Sequence, residues 1–315
     1  MSIDYRPYQE GDEDAIRALF SEVFGREMSP QEWRWKYPER GAGKVYAVVG
    51  VAEDGTLAGH YGGTPFDMVY HGKIIRGMLL GDVMIRPRYR GIRTFRRLTH
   101  AMEEFMYREG LLMVYGFPNE QTLMLPSEKL GLYDRVEDVF DFWKDAVLLS
   151  SSDRLKYKLF PMDFGDAATD LLWRRIENEM GLAIVRNREF LQWRYERHPF
   201  YRYELWGMRR RWERSLLGAA VIRREPPDTL LIIDVLCPRR YLGALLSKTE
   251  NMAAASGAKK VRLWLPSFLH HVAARRGFQR GACVTTIPCT TRPGFLTAKE
   301  IRDVFFYTMG DTDFL

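Results

Sequence analysis

Six arginines, Arg86, Arg88, Arg90, Arg93, Arg96 and Arg97, fall within twelve positions of a 315-residue chain. They lie in and just after the segment Val83-Met84-Ile85-Arg86-Pro87-Arg88-Tyr89-Arg90-Gly91-Ile92-Arg93-Thr94-Phe95. An apolar run, Met78 to Ile85, precedes the arginines. A stripe at helical spacing, Phe95, Leu98, Met102, Phe105 and Met106, begins among them and runs on beyond. The pattern reads as strand, basic loop and amphipathic helix. A strand-to-helix turn presents unpaired backbone N–H groups at the positive end of the helix, where a phosphate binds without needing any particular side chain. Glycine at 91 lets the backbone approach such a ligand, and the Arg93 guanidinium can pair with a phosphate. A solvated basic turn is the other reading of the same residues.

Two carboxylates stand out for a different reason. Asp82 interrupts Met78 to Ile85, where a buried charge is costly unless it is paired or functional. It is therefore a candidate general base. Asp234 interrupts a similar run in the second half, so a shared structural hydrogen bond explains both equally well. Asp67 is a further candidate base or a surface strand residue. The six histidines are scattered, and the cysteines Cys237, Cys283 and Cys289 have no CxxC spacing, so no metal site is expected. No Ser-His-Asp order stands out.

The elements that position these residues come in two sets. Glu32-Trp33-Arg34-Trp35 is echoed by Gln192-Trp193-Arg194-Tyr195, Leu57-Ala58-Gly59 by Leu217-Gly218-Ala219, and Asp82 by Asp234. Gly110 is echoed by Gly257, and Lys129-Leu130-Gly131-Leu132 by Arg275-Arg276-Gly277-Phe278. The order is kept and the offset shrinks, as in a duplicated domain with deletions in its second copy. The polar stretch Ser150-Ser151-Ser152-Asp153 places the boundary, giving domains 1–150 and 151–315. In the first copy, Asp12 is an N-cap candidate for a helix ending at Gly25, and Ser29-Pro30-Gln31-Glu32 opens a second helix. Strands follow at Tyr46 to Ala52 and Leu57 to Tyr61, joined through Asp54-Gly55. A further turn falls at His71-Gly72, a strand at Leu111 to Tyr115, a short helix at Gln121 to Lys129 and a late strand at Val139 to Trp143. The result is a mixed α+β layer fold.

The composition, 46% hydrophobic and 28% charged, is that of a globular chain. No apolar run is long enough to span a bilayer, and no signal pattern opens the sequence. Three cysteines and no export signal point to a reducing, cytoplasmic compartment. The net charge of +6 suits an anionic partner, whether nucleic acid, a membrane surface or a polyphosphate.

The order of elements, together with Arg90-Gly91-Ile92-Arg93-Thr94-Phe95 behind an aliphatic-x-Pro strand end, resembles the GNAT family of acetyl-CoA-dependent N-acetyltransferases. The resemblance covers most of residues 1–145 and, through the repeat, 155–290 more loosely. It implies two tandem GNAT-like domains, each a mixed, mostly antiparallel twisted sheet flanked by helices. It also implies that coenzyme A lies along Val83 and Ile85 and in the loop formed by Arg90, Gly91, Ile92, Arg93, Thr94 and Phe95. Arg93 stands where the family has its central glycine, and Phe95 where it has Gly or Ala. The resemblance further implies direct attack of an amine on the thioester, with a carboxylate or water chain taking the proton and a tyrosine often returning one to the thiolate. That tyrosine's position is Ser127 here and Ala273 in the second copy, leaving Ser127 or Tyr133 as substitutes. Asn119 either hydrogen-bonds the pantetheine arm or caps the turn after Pro118. From Asp82 to Gly110 is 28 steps and from Asp234 to Gly257 only 23, so the second copy is expected to bind coenzyme A poorly or not at all.

The main expectation is an acetyltransferase acting on a primary amine of a small molecule or sugar. An aminoacyl-tRNA-dependent transferase, with Arg209-Arg210-Arg211 on RNA phosphates, is the second reading. A catalytically silent acyl-CoA-binding module is the third, suggested by the joint departures at Arg93, Phe95 and Ser127.

Overall fold

The computed structural model describes residues 2–118, 131–148 and 156–312. In chain order its elements are β1 (Ile3–Pro7), α1 (Glu13–Phe24), α2 (Pro30–Lys36), β2 (Tyr46–Ala52), β3 (Leu57–Tyr70), β4 (Lys73–Ile85), α3 (Ile92–Arg108) and β5 (Met113–Tyr115). There follow β6 (Asp134–Asp145), β7 (Tyr157–Met162), α4 (Ala168–Ile176), β8 (Leu182–Ile184), α5 (Arg188–Leu191), β9 (Glu204–Arg210), β10 (Gly218–Glu225) and β11 (Thr229–Leu236). The last are α6 (Arg239–Ala255), β12 (Lys260–Leu263), α7 (His270–Arg275), β13 (Gln279–Thr291) and α8 (Ala298–Val304).

The chain forms two compact units. The first comprises Met1–Asp67, Ile75–Arg135 and Ile287–Ala298; the second comprises Met68–Ile74, Val136–Thr286 and Lys299–Leu315. In the first unit the strand order is β1-β2-β3-β4-β5 and then the C-terminal end of β13. Neighbours β1 and β2, β2 and β3, and β5 and β13 are antiparallel, while β4 and β5 run parallel. In the second unit the order from β6 is β12-β11-β10-β9-β7. Along this order β11 and β12 run parallel and the other described neighbours antiparallel. Each unit is thus a mixed, mostly antiparallel sheet whose parallel pair brackets a 17-residue helix, α3 in one and α6 in the other.

Local chemistry accounts for the helices that frame the first unit. α1 buries Ile16, Leu19 and Phe20 and stops where Gly25 turns left-handed at φ 71°. Those side chains pack with Trp33, Tyr37, Ala47 and Val49, each large one contributing roughly 1.5–3 kcal/mol by leaving water. α2 opens with Pro30 and the Ser29 hydroxyl accepting the Glu32 N–H at 3.0 Å. Asp12 precedes α1 but does not cap it, because its carboxylate is taken by the Arg6 guanidinium and the Gln9 N–H. α3 lays Leu98, Met102, Phe105 and Met106 against Tyr46, Val48, Tyr61 and Met78, and its buried stripe starts at Leu98 because Phe95 is only half-buried.

Sequence patterning did not bring out β1, a short strand whose residues are all at least partly exposed. It also underestimated β3 and β4, which run on through the polar residues beside His71-Gly72. The helix expected over 121–129 and the boundary at 150–153 lie outside the described residues.

Candidate active site

The turn between β4 and α3 is tied down by part of its own arginine cluster. Arg86 donates to the Leu57 carbonyl at 2.9 Å and to Glu22, and Arg88 reaches Asp54 and the Thr56 hydroxyl. Arg97 stacks over the Tyr5 ring at 5.1 Å. Among the described residues Arg90 donates to the loop's own Ile85 carbonyl, at 3.2 Å, and Arg93 is exposed at the first turn of the helix. α3 begins with no side-chain cap, so its leading amides are not answered by a neighbouring side chain. Gly91 is extended, with φ 161°, a conformation open to any residue, and a Cβ placed there would meet nothing within 4 Å. Neither the backbone nor the packing of the chain requires glycine at this position. What remains is room for something that approaches the backbone from outside. A diphosphate fits that description.

β4 itself is irregular one turn earlier. Its parallel pairing with β5 covers Gly77, Met78 and Leu79 and ends there. Residues 80–83 are half-buried rather than sealed. In the middle of this stretch Asp82 adopts φ 52°, one of three non-glycine residues in the left-handed region among those described. Its carboxylate accepts from Lys36 Nζ at 2.8 Å and from the Tyr37 hydroxyl at 2.6 Å, and its carbonyl lies 2.8 Å from His60 Nδ1. Burial opposes ionisation, but Lys36 and Tyr37 outweigh it and hold Asp82 below the usual carboxylate range. This arrangement favours the structural reading of Asp82 over the basic one, since both carboxylate oxygens already accept a donor. Lys36, Tyr37 and His60 escaped sequence reasoning. The only signal was that a carboxylate within an apolar strand needs a cation, and spacing along the chain does not say which one.

The other candidates are placed as follows. Val83 and Ile85 flank the irregular stretch and belong, half-buried, to the apolar cluster under α3. Tyr133 packs against that same cluster, and its hydroxyl is buried with no hydrogen-bond partner among the described residues. Burial pushes its pKa up, so it stays a protonated donor at neutral pH. Thr94 is half-buried near Tyr5. Asp67 is exposed on β3. Ser127 and Asn119 lie outside the described residues, as does Glu120. Among the described residues no group of three or more His, Cys, Asp or Glu could hold a metal ion, and no helix is long and apolar enough to cross a membrane.

The second unit has the same polar arrangement without the turn. Asp234 on β11 accepts from the Tyr195 hydroxyl at 2.8 Å and from Arg186 at 2.9 Å. Tyr195 and Tyr37 therefore play one role, although the echo of Trp33 and Trp193 aligns Tyr195 with Trp35. Six residues, 86–91, separate β4 from α3, whereas only Cys237 and Pro238 separate β11 from α6. The helices are equally long, so the shortening falls almost wholly on the loop. The C-terminal turn also fills the space beside Asp234. The Thr308 hydroxyl donates to Asp234 at 2.9 Å, and a Cβ at Gly310 would stand 2.1 Å from the Tyr195 oxygen.

Residues 4–125 match the family model of the acetyltransferase (GNAT) domain. No curated protein matches the sequence. Among solved structures, the chain is similar to a probable N-acyltransferase from Enterococcus faecalis V583, with a TM-score of 0.72 at 11% identity over 92% of this chain and 72% of that one. It is similar to a GCN5-related N-acetyltransferase from Anabaena variabilis (TM-score 0.70, 14% identity, 92% and 73% covered). It is also similar to one from Kribbella flavida (TM-score 0.69, 16% identity, 92% and 71% covered). At these identities the structural likeness establishes the fold.

Proposed function

We propose, for a chain that belongs to the GNAT superfamily and is an acyltransferase, that it acetylates the primary amine of a small molecule or sugar at the β4–α3 turn. The observation that carries this reading is Gly91, a glycine required neither by its φ nor by its neighbours, at the uncapped start of a 17-residue helix. When bound, acetyl-CoA supplies the thioester whose acetyl group passes to the amine. The leading amides of α3, at Ile92, Arg93 and Thr94, take the diphosphate, helped by the guanidinium groups of Arg90 and Arg93. Phe95, half-buried in the first turn of α3, completes the loop. Val83 and Ile85 border the stretch of β4 that has left β5, where unpaired strand backbone can receive the pantetheine arm, with Asn119 as a further donor. The Tyr133 hydroxyl, protonated and without a partner among the described residues, gives its proton to the departing sulfur and takes one back, through water, from the amine as it is acylated. Ser127 is the other candidate for that proton. Asp82 stays ionised and serves the backbone. The first unit, most of it within residues 1–150, takes the acyl-CoA, and the second, most of it within 151–315, is a degenerate copy whose two-residue turn leaves no space for a diphosphate.

Calorimetric titration with coenzyme A tests the cradle, and thiol release from acetyl-CoA across a panel of amines and amino sugars tests the chemistry. Binding at about 1 μM to 1 mM, with release stimulated by at least one amine, is the expected result. Binding without release under any acceptor would make the chain an acyl-CoA-binding module, and no binding would remove the proposal.

A further inference from the structure

We infer that Lys36, Tyr37 and His60 are positioning residues for acyl transfer, which lock Asp82 in its left-handed conformation and so set the course of backbone 80–83 where β4 leaves β5. The inference rests on the proposed reaction at the β4–α3 turn.

Left-handed backbone is strained for an L-residue, so Asp82 keeps φ 52° because its surroundings hold it there. Three bonds do so, and they come from two different elements. Lys36 ends α2 and Tyr37 follows it directly; both reach the carboxylate, at 2.8 and 2.6 Å. His60, on β3, lies 2.8 Å from the Asp82 carbonyl. A carbonyl only accepts, so Nδ1 carries the hydrogen and donates it. Burial pushes the His60 pKa down, which keeps the ring neutral, and the bond to the carbonyl sets its tautomer. The Tyr37 ring is itself wedged between Trp33, at 4.5 Å, and the edge of His60, at 5.8 Å. Side chain and main chain of Asp82 are therefore gripped separately, by groups that pack on each other.

The place of this clamp gives it a role in the reaction. Regular pairing of β4 with β5 ends at Leu79, and the buried clamp begins three residues later. Between them lie half-buried residues that no longer pair with β5. Catalysis by backbone donors depends on their being held in place before the substrate arrives. Loosening the clamp changes where those groups sit without deleting any group that touches the substrate.

Tyr37→Phe is the sharpest test, since it removes one hydrogen bond and keeps the ring. Against the wild type, with acetyl-CoA and the best amine of the panel, kcat is expected to fall about tenfold while the KM for acetyl-CoA stays within about twofold. Amide hydrogen exchange over residues 80–84 is expected to rise about tenfold, with β2 and β10 unchanged. Asp82→Asn keeps the tolerance for positive φ and is expected to retain the shape of the pH–rate profile. Unchanged exchange over 80–84 in folded Tyr37→Phe would overturn the clamp, as would loss of the basic limb of the profile in Asp82→Asn, which would make Asp82 a base. If the wild type neither binds coenzyme A nor turns over, the proposed reaction falls, and the exchange comparison still decides whether Asp82 is clamped.

Discussion

Asp82 and Asp234 occupy matching strands and keep matching company, yet only one of them sits on open ground. Each is bound by a tyrosine hydroxyl and a buried cation, Tyr37 and Lys36 in the first unit, Tyr195 and Arg186 in the second. Around Asp234 the polar shell is closed further by Thr308 and by the Val235 N–H, and Arg186 itself is shared with Asp311. Its strand carries a bulge opposite Val221 and Ile222 instead of a left-handed residue. Around Asp82 the shell is completed through the main chain by His60, and the flanking residues stay half-buried. The common part, tyrosine and cation on a strand carboxylate, belongs to the fold. The long turn and the left-handed aspartate belong to the first unit, and the proposed reaction rests on them.

The contrast can be broken or sharpened by substitution, in order of expected size. Arg186→Met leaves two fully buried carboxylates without their cation, so the second unit is expected to lose about 3–5 kcal/mol in chemical denaturation, with coenzyme A affinity unchanged. A large drop in affinity would show that the two units do not divide their tasks in this way. Arg90→Glu with Arg93→Glu is expected to weaken coenzyme A at least about a hundredfold, roughly 3 kcal/mol by calorimetry, while Arg239→Glu with Arg240→Glu leaves it alone. Equal effects from both pairs would assign the binding to general charge. The smallest effect concerns pH. Burial and the neighbouring Asp234, despite Arg186, push Asp311 up to about 6 from an ordinary value of 3.8. The folded state then holds that proton more tightly than the unfolded chain, so this contribution to stability is present below about pH 4 and fades as pH rises through about 6. Relative to Asp311→Asn, the wild type should lose up to about 3 kcal/mol across that window. A parallel pair of stability curves would show that Asp311 is ionised throughout.

Much of the frame was legible in the residues. The spacing of Leu98, Met102 and Phe105 marks α3, Ser29-Pro30 marks the start of α2, and Asp54-Gly55 marks the first hairpin, because each is set by local geometry. The left-handed glycines at 110 and 257, and at 131 and 277, sit where the repeat pairs them. What could not be read is what depends on distant partners. Asp12 looks like a cap until Arg6 is seen to claim it. Asp82 is 46 residues from Lys36 in the chain, and nothing in the apolar run around it distinguishes a base from a buried ion pair. The left-handed turn at Asp82 is equally silent in sequence, since aspartate is at home in many conformations.

Gly91 carries one more consequence. Alanine or serine there would leave folding, expression and melting temperature untouched, because the position has space and an ordinary extended backbone. A library selected for abundance would therefore score it as freely variable, and selection for turnover alone would recover the glycine. The contrast between two such maps would trace the rim of the nucleotide seat residue by residue, without a bound ligand ever being seen.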